Sequence, residues 1–456
     1  MRCTVNAPEN PLFSSKDILH MMVPLITEQA LTCLVGLADS IMVAQAGEAA
    51  VSGVSLVDSI SVLITMMLSA VAAGGAIVAG HFLRQRDFED AKKVSNQLMT
   101  FMVVFSSVIT VLLYILRRPM FALFFGDIAP DVYESAYIYY QITTISTPFF
   151  AIFTTGSAIF RTMGKSLPSM QVSAIMNVVN IVGNAVLIFG CRMGVAGVAI
   201  PTAVSRVVAA VIVFRMLQNP AHTLRMEPQL LRRWDGRTVL RILQLGLPNG
   251  IETSMFQFGK IIMLAVVSRF GTAAIAANAI GNTMANFESL PGNAINLGIV
   301  AIVAQCVGAG DYKQARYYVH KLIQLIYTCH IALNAVIIFA TPLIISAYNL
   351  SPEGAVLARQ TILLHSIFCM IHWVPSFALP AALRAAGDAK YTMTVGVLSM
   401  WIVRLIGGVV LAIPCGFGMV GVWYAMLIDW AVRSYFYISR YQSTRWYTRI
   451  TVHSKL

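Results

Sequence analysis

Twelve runs of about 20 or more predominantly apolar residues, set apart by short polar breaks, limit what this chain can fold into. They fall at 18–43, 55–82, 96–116, 133–160, 168–190, 195–217, 242–268, 273–305, 322–346, 359–383, 391–413 and 418–438. A run of this length crosses the hydrocarbon of a bilayer as one helix, with every backbone polar group bonded internally. Charged residues make up 11% of the 456 residues and hydrophobic ones 57%. Soluble domains carry about 25% charge, so polar surface for a water-soluble fold is missing. The expected fold is an all-α integral membrane protein with twelve transmembrane helices.

The halves of the chain repeat. Pro24 and Glu28 in PLITE recur 224 residues later as Pro248 and Glu252 in PNGIE, and Gly47 recurs as Gly271. DFEDAKK from Asp87 matches DYKQARY from Asp311, and CRMGVAG from Cys191 matches CGFGMVG from Cys415, at the same shift. FRTMGK matches LRAAGD at a shift shorter by one, pairing Arg161 with Arg384 and Gly164 with Gly387. Several matches in order along the chain make a repeat. Six crossings return the chain to its starting side, so two six-helix lobes should relate through a pseudo-two-fold axis along the membrane normal, with a cleft between them. The domains expected are an N-terminal segment 1–17, a lobe 18–218, a basic linker 219–240, a second lobe 241–440 and a basic tail 441–456.

The formal charge of +12 sits mainly in short loops. With the N-terminus inside, basic residues divide about 23 to 5 between the two sides, which places both termini in the cytoplasm and argues against nucleic-acid binding. ENPLFSSKD lacks the pattern of a cleaved signal, so the first span is expected to direct insertion. The linker reads as a solvated connection or an anionic-lipid site, and the tail, with Trp446 and Tyr447, as a segment on the membrane surface. Cys3, Cys33, Cys191, Cys306, Cys329, Cys369 and Cys415 form neither a CxxC pair nor a metal-ligand cluster. A Cys191–Cys415 disulfide is disfavoured.

Against this apolar background a few polar groups stand out. Asp39, in VGLADSIMV, lies well inside the first span, where a carboxylate needs a partner, a proton, an ion or water. Asn177, Asn180 and Asn184 share one face of the fifth span. Their amides either ligate an ion and orient Asp39, or bond neighbouring helices. In the second half the place of Asp39 falls to Met263 and that of Asn180 to Arg404, with Lys260 one turn before Met263. Lys260 can pair with Asp39 or Glu252, or be neutral, and Arg404 can snorkel, pair or line a cavity. Glu28 and Glu252 read as carboxylates near helix starts, supported by the helix dipole. Asp429 and Arg433 are spaced to neutralise each other on the last span. Asp58, Arg206 and Glu288 have no role the sequence chooses.

Pro24, Pro248 and Pro375 are expected to kink their helices, as are Pro148, Pro201, Pro291 and Pro380. Phe149, Phe150, Phe256, Phe258, Trp373 and Phe377 near them can stack on a flat organic cation or simply pack. The phosphate-loop pattern GxxxxGK followed by Ser or Thr is absent, as are HExxH, a serine elbow and a haem motif. Neither nucleotide drive nor enzymatic catalysis is expected, and no cofactor.

PLITEQALTCLVGLADSIMVAQAG in the first span, NVVNIVGN and GVAGVAI in the fifth and sixth, and GTAAIAANAI, VAQCVGAGDYKQAR and LRAAGDAK in the second half resemble the multidrug and toxic compound extrusion family over essentially the whole chain. The resemblance implies a multi-pass protein of a prokaryotic plasma membrane, a cation-coupled antiporter that expels amphiphilic, often cationic compounds from a cavity between alternating lobes. Asp39 falls on the family's coupling aspartate. Asn180 falls on an asparagine of the N-x-x-N-x-x-x-D pattern, whose final place, often an aspartate, is here Asn184. The tenth span, TILLHSIFCMIHWVPSFALPAAL, has no acid, so the chain looks closer to the branch of the DNA-damage-inducible F protein than to the NorM branch.

The ion-coupling residues implied are Asp39, Asn180 and Asn184. The substrate-cavity candidates are Gln257, Lys260, Arg404, Phe149, Phe150, Phe256 and Trp373. The coupling ion is H⁺, or alternatively Na⁺ bound by Asp39, Asn180 and Asn184. The partners are small organic substrates and membrane lipids, with no nucleic acid or nucleotide, and the protein works as a monomer. Competing readings are a lipid-linked precursor flippase and a scaffold that transports nothing.

Overall fold

A computed structural model describes residues 8, 11–44, 48–119, 121, 130–227, 234–348, 350–443 and 446. Arg2, Cys3, Gly47, the middle of the basic linker at 228–233 and most of the tail lie outside the described residues. The described chain is helical, with no strand among the described residues. In order come α1 Ser15–Ala44, α2 Glu48–Arg84, α3 Phe88–Ile115, α4 Pro130–Ile145, α5 Thr147–Thr162, α6 Ser166–Ala185, α7 Ala196–Leu217 and α8 Gly236–Val267. These are followed by α9 Gly271–Gly308, α10 Tyr312–Ala347, α11 Pro352–Phe368, α12 Leu379–Ala385, α13 Ala389–Leu398, α14 Gly407–Ala412 and α15 Gly418–Gln442.

These elements make twelve spans. Nine uninterrupted helical segments are long and apolar enough to cross a bilayer, and α4 with α5 forms a tenth, bent by 48°. The bend falls at Ser146, where Pro148 opens α5. One of the nine, Gly236–Gly308, has 73 residues, far beyond one crossing. It divides at Gly271, whose φ of 89° is left-handed, into α8 and α9. The remaining span is α15, which carries Asp429, Arg433 and Arg440. Large apolar side chains cover the outer faces: Phe339 is 85% exposed and Leu343 75%, which suits contact with lipid and not with water.

α1 and α8 continue without a break through Pro24 and Pro248. At Pro375 the pattern changes: Cys369–Ala378 is π-helical and joins α11 to α12. A proline lacks the N–H that an α-helical ladder would use there. Val186–Gly190 after α6 and Ser399–Ile406 between α13 and α14 are π-helical too.

The repeat seen in the sequence is built into the turns. Asp87 caps α3 by accepting from the Asp90 N–H at 3.1 Å, and Asp311 caps α10 by accepting from the Gln314 N–H at 3.0 Å. Two left-handed turn positions filled by Arg86 and Arg192 in the first half are Gly310 and Gly416 in the second. The same backbone is thus drawn twice, with glycine relieving it once.

Contacts divide the chain into a unit of residues 15–250 and a unit of residues 251–456 with 1–14. In the first, Leu68, Val71, Leu98 and Met102 pack with Val239 and Ile242 from the start of α8. That is why the division falls within α8. The basic connection before α8 is tied to α3: Asn96 and Gln97 bond the backbone of Arg225, Glu227 and Asp235. Lys93 Nζ lies 2.7 Å from Asp235. That contact and the Thr238 hydroxyl hold the Asp235 carboxyl well below the usual carboxylate range. In the second unit, Phe13 N donates to the Tyr318 hydroxyl and Leu12 N to Gln314 Oε1, each at 2.8 Å, docking the segment before α1 on α10.

At the closest approach of α2 and α8, a Cβ on Gly74 would stand 2.4 Å from Gly246 Cα. Backbone cannot yield as a side-chain tip can. Gly74→Leu is therefore expected to destabilise the protein by about 1–3 kcal/mol or more. A lowered thermal midpoint in detergent would show this, and an unchanged one would contradict the close approach.

Candidate functional site

In the first unit, α1 and α6 pack side by side and bring Asp39 to the amide face of α6. Asn184 Nδ2 donates to Asp39 Oδ1 at 2.8 Å. Asn180 is assigned with its nitrogen toward Asp39, the orientation that satisfies both ends of the amide. That nitrogen then donates to Oδ1 at 2.8 Å and Oδ2 at 3.1 Å, while its oxygen accepts from the Thr202 hydroxyl of α7 at 3.2 Å. Asn180 and Asn184 are buried and Asp39 is half-buried. Asn184 Oδ1 and Asn177 Nδ2 are buried with no hydrogen bond. The arrangement therefore gathers N–H donors on one carboxylate and leaves one amide oxygen available.

Two residues the sequence could not place join this site. Tyr139 on α4 donates its hydroxyl to Asp58 Oδ1 at 3.1 Å. Asp58 is close enough to act on Asp39 by charge, and Arg206 on α7 acts on Asp58. Arg206 Nη1 donates to Ser146 Oγ at 3.0 Å, at the bend between α4 and α5. Its guanidinium lies 5.2 Å from the centre of the Phe150 ring. Tyr139 and Thr202 were not foreseen. Tyr139 is one of three tyrosines in YIYY and Thr202 a hydroxyl in an apolar run, and nothing in spacing marks either from its neighbours.

Glu28 and Glu252 need correction. The helices begin earlier than the apolar runs suggest, so both lie well inside α1 and α8, not near helix starts. Each meets an arginine of its own unit. Arg161 Nη1 lies 3.8 Å from Glu28, whose oxygens also accept from Ser169 Oγ at 3.0 and 3.2 Å. Arg384 Nη1 donates to Glu252 Oε2 at 3.3 Å. These four residues are repeat partners, so the fold carries one ion pair twice.

The second unit is organised around Phe256. Lys260 Nζ, Arg404 Cζ and Arg433 Cζ lie 5.3, 5.0 and 5.5 Å from the centre of its ring. Arg433 is held by Asp429 at 2.9 Å, as the four-residue spacing foretells, and by the Gly396 carbonyl at 3.1 Å. Ser399 Oγ also donates to Asp429. Arg404 is buried, so it does not snorkel. Gln257 is half-buried on α8 beside Phe256, and Phe149 is half-buried on α5.

Two of the aromatic candidates are used by the protein itself. Trp373 is 2% exposed, packed against His330 and Phe377, with Nε1 bonded to Ser289 Oγ at 3.1 Å. It is a core residue, because the π-helical turn around Pro375 aims it inward against Gly292. Phe150 packs on Phe153 and carries Arg206, which leaves it little face for cargo.

Glu288 is fully buried on α9. It accepts from Ser366 Oγ at 2.7 Å and pairs with His365 Nδ1. Cys369 Sγ completes a set of three possible metal donors within 4.8 Å, and lies 3.5 Å from His330 Nδ1. Cysteine spacing alone gave no hint of such a cluster. Its members meet across α9 and the end of α11, with His330 of α10 beside Cys369, and hydrogen bonds already tie the network.

The same two-fold pattern appears in comparison with known proteins. The MatE family profile matches residues 24–186 and again 248–410. The chain belongs to the MatE family. MatE proteins are membrane transporters, and this one is a multi-pass membrane protein. "Uncharacterized transporter YisQ" of Bacillus subtilis is 24% identical, over 96% of this chain and 97% of its own length. "Probable multidrug resistance protein NorM" of Thermotoga maritima is 23% identical over 95% and 93%. The outward-facing structure of a multidrug resistance MATE transporter of the MOP superfamily matches with a TM-score of 0.86 at 16% identity, covering 96% of each chain. A structure of the Vibrio cholerae MATE transporter VcmN gives 0.87 at 17%, over 95% and 98%.

The Asp429–Arg433 pair is buried on both sides. Arg433→Met should destabilise the protein by about 3–5 kcal/mol by stranding a buried carboxylate, and Asp429→Leu with Arg433→Met should restore most of the loss. Thermal midpoints of the purified variants test this. A double variant no more stable than the single one would contradict it.

Proposed function

We propose that this MatE protein is a secondary active multidrug efflux carrier that exports amphiphilic organic compounds, often cationic, in exchange for protons. Asp39 is the coupling group, and Asn180 and Asn184 hold it. The observation that carries the reading is a half-buried carboxylate near the end of a spanning helix whose bonding is to neutral amide donors. Relatives named as multidrug resistance proteins support the cargo class. The plasma membrane, cytoplasmic termini and action as a monomer belong to the same proposal. Lack of an acid in the tenth span supports the branch of the DNA-damage-inducible F protein.

The mechanism follows from charge. An ionised Asp39 strengthens the bonds it accepts from Asn180 and Asn184 and attracts a cationic substrate. Protonation removes that charge, so the amide bonds loosen and substrate affinity falls. Ion and substrate then favour different states, and by linkage each lowers the affinity for the other. A proton entering from outside releases the cargo there, and its departure inside readies the site again.

One observation favours a second reading. Asn184 Oδ1 is buried without a donor, and with the Asp39 carboxylate it offers oxygen ligands to Na⁺. Proteoliposomes with an imposed pH gradient or an imposed Na⁺ gradient separate the readings. Proton coupling predicts uptake driven by the pH gradient alone, slowed about tenfold or more in Asp39→Asn at equal abundance. Uptake driven only by Na⁺ would favour the second reading, and normal transport by Asp39→Asn would contradict both.

A further inference from the structure

A cavity of about 290 Å³ lies wholly within the second unit, and its polar lining has the wrong sign for a site built to hold cations. Lys260 and Arg404 both line it. Among the described residues neither forms an ion pair. Arg404 is only 8% exposed, and no hydrogen bond to its guanidinium is found among the described residues. Of the acids in this unit, Asp429 holds Arg433 and Glu252 holds Arg384. Two cations therefore share the Phe256 ring and face a cavity lined by no acid.

The rest of the lining completes an anion's needs. Asn278, Asn282 and Asn286 recur at four-residue intervals on α9 and face the same space. Trp423 Nε1 donates to the Asn278 oxygen at 3.2 Å, which fixes that amide with its oxygen turned to the indole. Leu264, Val267 and Met426 give the cavity an apolar wall. The volume exceeds what a small inorganic anion fills, and it suits a charged head on an apolar body.

The repeat explains how the sign arose. At the 224-residue shift, Asp39 corresponds to Met263, Asp58 to Asn282, Asn180 to Arg404, Gly36 to Lys260 and Thr202 to Met426. All five second-half partners line this cavity. Both acids of the first-unit site have become neutral, and two uncharged positions have become cations. The two matches of the family profile, at the same shift, support that register.

We propose that this cavity is a subsite for the anionic head, carboxylate or sulfonate, of an amphiphilic substrate. Lys260 and Arg404 provide the charge and the α9 amides the remaining donors. The cargo then includes zwitterionic and anionic amphiphiles. The proposal rests on the transport reading for its meaning, but its test uses no gradient, so the two can fail separately.

The test is equilibrium dialysis of the purified full chain with three probes that share one ring system: naphthalene-1-sulfonate, neutral naphthalene-1-sulfonamide and 1-naphthylmethylammonium. The sulfonate should bind at least about tenfold tighter than the sulfonamide. Lys260→Gln, at an exposed side chain, should remove most of that preference, and Arg404→Lys should retain it where Arg404→Gln loses it. Equal binding of sulfonate and sulfonamide would overturn the proposal, as would full preference in folded Lys260→Gln. Sulfonate binding kept in phosphatidylcholine nanodiscs but lost in phosphatidylglycerol nanodiscs would assign the cavity to a lipid headgroup, and would overturn it too.

Discussion

A carboxylate in the last turns of a lipid-spanning helix must be met by donors, and Asp39 is met by the amides of Asn180 and Asn184. That requirement fixes how α1 lies against α6 and which face of α6 turns inward. A chain of contacts then leads outward: Asn180 to Thr202 on α7, and by charge from Asp39 through Asp58 to Arg206, which is anchored at the bend after α4. The polar groups around Asp39 are therefore one connected set. Changing the charge at Asp39 alters the terms on which five spans are held together, and a coupled carrier needs that property.

The two halves share their scaffold and differ in their sites. The helix caps of Asp87 and Asp311, the Glu28–Arg161 and Glu252–Arg384 pairs and the left-handed turns recur because they set the backbone of each half. The interior positions have drifted in opposite directions. The first unit keeps acids and amides. The second holds cations over Phe256, with Asp429 and Arg433 neutralising each other. Duplication kept the frame, and substitution at a few inward positions gave each copy its own polarity.

The spans and the repeat were legible because both are written in long patterns: apolar runs of bilayer length, and matches at one shift. Asp39 and the asparagine face stood out because a polar group in such a run is conspicuous. Trp373 and Phe150 could not be assigned between cargo and packing for the opposite reason. An aromatic in an apolar helix looks the same from sequence whether it faces a cavity or the core, and only the π-helical turn at Pro375 and the placing of Arg206 decide. Glu28 and Glu252 were set too near helix starts because polar first turns, such as SKD in α1, do not register in an apolar count. The Glu288, His365 and Cys369 cluster was hidden because Glu288 comes from another helix, far in sequence from the His365 and Cys369 turn.

The central claim is that substrate and proton compete through Asp39. Proton release on binding tests it most directly, with purified protein in weakly buffered detergent, a pH indicator and a cationic amphiphile as ligand. Wild-type protein is predicted to release up to about one proton per bound molecule near the pH where Asp39 titrates, and Asp39→Asn to release none. Equal release by the two proteins would contradict the account.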